Sequence, residues 1–100
     1  MSNRLPGTVA KELIVARKYL AKKRHWCQDQ YTSGVWPFRR YCAAGYLNAH
    51  ASGAAHDLVD EASRELYGKE NVIIVNDYIG HEAVIAVLNR ATSLALSRQM

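Results

Sequence analysis

The sequence predicts a mainly α fold: a single compact domain of about four helices, with a short β-hairpin or isolated short strands between them. Three observations predict it. Apolar residues recur at i, i+3 or i+4 from Thr8 to about Arg24, from about Ala54 to Tyr67, and from His81 almost to the C-terminus, which is the spacing of one helix face. The stretch from Arg40 to His50 has its one strong charge at its start and is otherwise apolar or small on nearly every side, as a helix in the middle of a fold would be. Only two segments, residues 26–37 and 72–75, read as candidates for strands.

In chain order, residues 1–7 form a leader ended by Pro6-Gly7, and residues 8–100 form the domain. Thr8 reads as an N-cap. Val9, Leu13, Ala16 and Leu20 then mark one face of a first helix, with Lys11, Lys18 and Lys22 opposite. That helix is expected to end in Lys22-Lys23-Arg24, where cations suit the negative end of the macrodipole. Thr32-Ser33-Gly34 is a turn signal between Gln28–Tyr31 and Val35-Trp36. It supports either a short irregular hairpin or a long loop packed down by its aromatics. Pro37 disfavours helix before it, so a central helix is expected from about Phe38 to Ala51. Ala43, Ala44, Gly45 and Ala49 would let neighbouring backbones approach it. Gly45 costs a helix roughly 1 kcal/mol against Ala, which implies close packing or a ligand beside it.

Ser52-Gly53 breaks the chain. Ala55, Leu58, Val59, Ala62 and Leu66 form the apolar face of the next helix, which Gly68 ends. Val72-Ile73-Ile74-Val75 fits a buried strand or a helical turn equally well. Asn76-Asp77 ends that run, and a last helix carries Val84, Leu88, Ala91 and Ala95, widened by Ile85 and Val87. Leu13, Leu20, Leu47, Leu58, Leu66, Ile74, Val84 and Leu88 are the expected core.

The 100 residues suffice for one domain. Residues 1–50 hold nine Lys/Arg against two Asp/Glu, and residues 51–100 hold four against seven. The first half, at +7, would suit an anionic partner; a solvated basic face is the plainer alternative. Two cysteines are too few for a disulfide scaffold. No segment approaches the roughly 20 apolar residues that span a bilayer, and no signal-peptide h-region follows Met1. The expected setting is cytoplasmic, without membrane contact.

No catalytic pattern is present. His25, Cys27, Cys42, His50, His56 and His81 are ligand types for zinc, but their spacing matches no paired Cys-x-x-Cys arrangement, so neither a metal nor another cofactor is expected. Cys42 and His50 lie eight residues apart on one expected helix, about 12 Å along its axis, too far for a nucleophile and its base. A buried, inert Cys42 is the plainer reading. Trp26-Cys27-Gln28 suits a pocket wall or a loop anchored by a buried indole; a buried Gln28 amide would need partners from the chain or from a ligand. Asn76-Asp77 suits a helix cap or turn, or a carboxylate at the mouth of a cleft. Arg17, Lys18, Lys22, Lys23 and Arg24, with Arg39 and Arg40 later, interleave with Tyr19, Trp26 and Tyr41. Cations neutralise phosphates and aromatics stack on bases, yet no helix-turn-helix, finger or RNA-recognition pattern accompanies them.

Three blocks carry a resemblance when taken together: Trp26-Cys27-Gln28; Arg40-Tyr41-Cys42-Ala43-Ala44-Gly45-Tyr46-Leu47; and Val75-Asn76-Asp77 followed by Glu82-Ala83-Val84. Over about residues 9–96 the chain resembles an uncharacterised family of small domains of bacteria and phages, a domain of unknown function. The resemblance implies no activity. It implies that Trp26, Gln28, Cys42, Gly45, Asn76 and Asp77 form one shared constellation. The chain departs from the family pattern at Val75, where an aromatic is common, and in the extra aromatics Tyr31, Trp36 and Phe38.

The expected function is a non-catalytic binding or regulatory domain, phage- or mobile-element-associated. Trp26, Gln28, Cys42 and Asp77 would line its pocket, with Gly45 and Asn76 adjoining. The ligand would be a small anion, a nucleotide or a partner protein. Two alternatives stand beside it. One is a small hydrolase-like enzyme using Cys42 or Asp77. The other is a nucleic-acid binder using Arg17, Lys18, Lys22, Lys23, Arg24, Arg39 and Arg40.

Overall fold

In a computed structural model the described residues are 7–35 and 39–100. The expected leader up to Pro6, and Trp36, Pro37 and Phe38, lie outside them. The described chain is mainly helical, with five α-helices rather than about four and one two-stranded hairpin.

Helix α1 runs Thr8–Leu20 and buries Val9, Ala10, Leu13, Ala16 and Leu20. Its N-cap is Gly7, at φ 89°, and not Thr8; that left-handed backbone suits a residue without Cβ. The helix stops at Leu20, four residues short of the expected Arg24. Two imidazoles account for the stop. His25 Nδ1 lies 2.8 Å from the Tyr19 carbonyl and His81 Nε2 lies 2.6 Å from the Leu20 carbonyl. They satisfy acceptors that further helix would otherwise have used. The chain leaves through extended Lys22 into one tight 3₁₀ turn, Lys23–His25.

Strands β1 (Thr32–Ser33) and β2 (Arg40–Tyr41) pair antiparallel, Thr32 opposite Tyr41 and Ser33 opposite Arg40. Trp26 forms a parallel bridge with Tyr41. A short hairpin is therefore present, but not as expected: Thr32-Ser33, expected as its turn, form its first strand, and the second lies at Arg40–Tyr41 rather than at Val35-Trp36. It also shortens the central helix: Tyr41 is paired as strand on both sides, so α2 begins only at Ala43 and runs to His50. Cys42 through Leu47 are buried, whereas Asn48, Ala49 and His50 are exposed. Only the first half of α2 is central, and Ala49 provides no packing surface.

Helix α3 (Gly53–Tyr67) is capped by Ser52, whose Oγ accepts from Ala55 N at 3.2 Å, and ends at Gly68 with φ 65°. Asn71 then caps α4 (Val72–Ile74), accepting from Ile74 N at 3.2 Å, while Asp60 accepts from Val72 N at 3.0 Å. The helix continues as one wide π turn, Val75–Ile79, closed by Gly80 N donating to the Val75 carbonyl. The ambiguous apolar run is thus helical. Asn76 and Asp77 lie inside its last turn rather than beyond its end. Residues i and i+3 share a helical face, so Val72 and Val75 point inward and Ile74 is only half-buried. Gly80, at φ 127°, turns the chain into α5 (His81–Ser97).

Helix α5 packs against both α1 and α3 and supplies Ala83, Val84, Val87, Leu88, Ala91 and Ala95 to the core. Arg90–Glu65 and Arg98–Glu61 ion pairs flank its seam with α3; both are exposed, so they contribute little. Leu13, Leu20, Leu47, Leu58, Val84 and Leu88 are core as expected. Leu66 is not, at 43% exposed, because in its last two turns α3 turns Ala62 and Ser63 inward. The Ser63 hydroxyl is buried by bonding back to the Val59 carbonyl.

Candidate functional site

The segment following the 3₁₀ turn, the start of α2 and the π turn meet at one place. Asn76 joins them. Its side chain is fully buried, and each of its four hydrogen-bonding positions is used. Oδ1 accepts from Trp26 Nε1 at 2.6 Å and from Ala43 N at 3.0 Å. Nδ2 donates to the Cys27 carbonyl at 3.0 Å and to Asp77 Oδ1 at 2.9 Å. An amide has two acceptor sites and two donors, so nothing is left over for a ligand. Ala43 is the first residue of α2, and its N–H has no partner within that helix. Asn76 caps it from 33 residues away.

Gln28 has a related task. Its Nε2 donates to the Asn76 carbonyl at 3.1 Å and to the Asp77 carbonyl at 3.4 Å. The break at Gly80 leaves these carbonyls at a helix end, and the Gln28 amide stands in for the missing turn. Asp77 Oδ1 also accepts from Asp29 N at 2.9 Å. Asp29 has φ 65°, a conformation Asp tolerates better than most side chains.

Cys42 is the N-cap of α2, its sulfur 3.2 Å from Gly45 N. Burial pushes its thiol above the ordinary range, although the Gly45 and Ala44 N–H groups work the other way. Cys27 is raised too, chiefly by burial and then by Cys42. At Gly45, a Cβ would overlap the Tyr31 carbonyl oxygen and stand 2.9 Å from its carbon. That carbonyl accepts from Cys42 N at 3.0 Å. The glycine is therefore explained by a backbone crossing over α2.

The six residues expected to act together are thus brought together, and this architecture coincides with the blocks that carried the family resemblance. The chain matches the model described as a family of unknown function, DUF6197, over residues 4–94. It belongs to that family. No curated protein and no solved structure gives a significant match.

Within this DUF6197 domain one cleft adjoins the network. It holds about 260 Å³ and is lined by Asp29, Gln30, Tyr31, Cys42, Ile73 and Asp77. Trp26 and Gln28 are not on its wall; the Trp26 indole N–H and the Gln28 Nε2 are spent on the framework, and Gln28 is exposed rather than buried. Asp29, Gln30, Tyr31 and Ile73 were missed from sequence. Tyr31, 57% exposed, stands out in the sequence only as an extra aromatic. Two carboxylates make the cleft acidic, and no histidine is bonded to either thiol among the described residues. Nor is any group of three or more His, Cys, Asp or Glu placed to hold a metal among them.

The cationic residues lie elsewhere on the DUF6197 fold. The Tyr19 hydroxyl donates to the Arg39 carbonyl at 3.0 Å, and β2 packs on the Lys23–His25 turn. Arg39 and Arg40 thereby come beside Lys22, Lys23 and Arg24, although about fifteen residues of chain separate the two groups. Arg17 differs, since its Nε donates to Asn89 on α5 at 2.6 Å. Lys18, Lys22, Lys23, Arg24, Arg39 and Arg40 are exposed and have no ion-pair partner among the described residues. Beside them runs a file of rings: His25 stacked on Tyr19 (4.0 Å), Tyr19 on Tyr46 (5.2 Å), and Tyr46 tilted on His50 (4.9 Å). Tyr41 sets its edge against three of them.

Proposed function

We propose that this is a non-catalytic binding domain that receives a phosphate-bearing partner, nucleic acid foremost, on its cationic face. The observation that carries the reading is the approach of Arg39 and Arg40 to Lys22, Lys23 and Arg24, with Lys18 on the preceding turn, all exposed and none in an ion pair among the described residues. Such a face attracts polyanions. The part-exposed rings of His25 and Tyr41 and the exposed ring of His50 add surfaces on which a base can stack. The chemistry-bearing groups of the Asn76 network argue against catalysis: the amide is saturated and both thiols are pushed up by burial.

Fluorescence anisotropy with a labelled single-stranded oligonucleotide tests this. If all six cations meet phosphates, log K should fall with log salt at a slope of up to about −4, from about 0.7 per contact. Replacing Lys22, Lys23, Arg39 and Arg40 together by Glu should remove binding while leaving the melting temperature near wild type. Affinity indifferent to salt, or retained by the charge-reversed variant, would exclude the reading.

A second reading keeps a small ligand in the Cys42 cleft. Asp29 and Asp77 favour a cationic or hydrogen-bond-donating group there over an anion.

A further inference from the structure

We infer that Cys27 and Cys42 are a dithiol pair built to close reversibly into a disulfide, a modification site at the base of the β-hairpin. The inference stands on strand register and is independent of the cationic face. Trp26 bridges Tyr41 in parallel, with Cys27 N donating to the Tyr41 carbonyl at 3.1 Å. One residue further along each strand come Cys27 and Cys42. The backbone enters Cys27 from extended Trp26 (φ −116°, ψ 146°) and is extended at Cys42 (φ −72°, ψ 167°). Adjacent strands lie about 4.8 Å apart, and side chains at matched parallel positions leave on the same side. A disulfide asks for Cα atoms about 4.4–6.8 Å apart. The closeness is felt electrostatically as well: Cys42 opposes ionisation of Cys27, and the Cys42 N–H acts on the Cys27 sulfur.

Both thiols are free and buried, but only Cys42 lines the cleft. That asymmetry assigns the order of events with a hydroperoxide as oxidant. The Cys42 thiolate attacks the peroxide O–O bond, becomes a sulfenic acid and releases one alcohol or water. The Cys27 thiolate then attacks the Cys42 sulfur, the S–S bond forms, and hydroxide leaves and is protonated to water. In sum, two thiols and one hydroperoxide give a disulfide, an alcohol and a water. Because burial raises both thiols, the reaction should be slow at neutral pH and quicken as pH rises toward 9. The bond would staple the hairpin that carries Arg39 and Arg40 to the segment after α1.

The experiment treats reduced, folded protein with hydrogen peroxide at pH 7 and pH 9, then blocks remaining thiols with N-ethylmaleimide. Intact mass should show loss of two hydrogens and no maleimide, with faster conversion at pH 9. A non-reducing tryptic map should join Cys27 to Cys42, and dithiothreitol should restore two thiols. The oxidised form should melt higher, because a short loop is closed in the unfolded chain. With Cys27→Ser, dimedone should trap a sulfenic acid on Cys42; with Cys42→Ser, Cys27 should react far more slowly. Two maleimide adducts after peroxide at pH 9, only intermolecular dimers, or only sulfinic and sulfonic acid on Cys42 would overturn the pairing. These wild-type readouts do not depend on either variant folding.

Discussion

Replacing Asn76 by Ala should be among the most damaging single substitutions in this domain. The change strands two buried main-chain groups, the Ala43 N–H and the Cys27 carbonyl, together with the half-buried Trp26 indole N–H. A buried polar group left without a partner costs about 1–3 kcal/mol. The two main-chain groups therefore cost about 2–6 kcal/mol, and lost packing adds to that. About 4 kcal/mol is the expected loss, against the roughly 5–15 kcal/mol that holds a typical domain folded. For a chain of this length each kcal/mol moves the melting midpoint by about 4–8 °C, so a fall of about 16–32 °C follows. Urea unfolding followed by far-UV circular dichroism measures it, with tryptophan emission as a second probe. Asn76→Asp sharpens the test, since it keeps an acceptor for Trp26 and Ala43 but sets a carboxylate oxygen against the Cys27 carbonyl and against Asp77. Buried beside another carboxylate, the new acid should have a folded pKa above its unfolded value of about 3.9. The variant should then be least damaged below that unfolded value and lose stability as pH rises through the folded one. If Asn76→Ala and Asn76→Asp both melt within about 5 °C of wild type at pH 7, the amide is not what joins the three segments.

Gly45→Ala should lower stability by about 1–3 kcal/mol, although Ala is the better helix former by roughly 1 kcal/mol; the methyl would meet the Tyr31 backbone, and a raised melting temperature would show that no crossing constrains the position. Stability should also fall in alkali. Burial raises Cys27, Cys42, Tyr19 and Tyr46 above their ordinary values, so their contribution is present below the unfolded pKa values, about 8.5 for Cys and 10 for Tyr, and is lost as pH climbs through the folded ones. An unfolding free energy that stays level from about pH 8 to 11 would contradict this.

Helix identity was legible wherever a face repeated often enough to be read. Val9, Leu13, Ala16 and Leu20, or Val84, Leu88, Ala91 and Ala95, announce a buried stripe whatever they pack against. The stop at Gly68 is local chemistry and was visible; Thr32-Ser33, which read locally as a turn, is strand because it pairs with Arg40–Tyr41. The helix ends were not, because they depend on distant partners. Leu20 ends α1 because His25 and His81 reach its last carbonyls, and α2 starts late because Tyr41 is held as strand by Trp26 and Thr32. Four apolar residues at Val72–Val75 could not declare their period alone; caps from Asn71 and Asp60 make them helical.

The residues of the Asn76 network could be named from the chain, since Trp, Gln, Cys and Asn-Asp are conspicuous there, whereas the cleft residues Asp29, Gln30, Tyr31 and Ile73 could not. What each of them does could not. A buried amide looks the same in sequence whether it awaits a ligand or is saturated by Trp26, Ala43, Cys27 and Asp77. Likewise, the excess of cations in the first half is plain from composition, but only folding brings Arg39 and Arg40 beside Lys22–Arg24 and diverts Arg17 to Asn89. Periodicity and turn chemistry act over a few residues and survive in the sequence. Hydrogen-bond saturation and charge clustering act through space, and only the tertiary structure decides them.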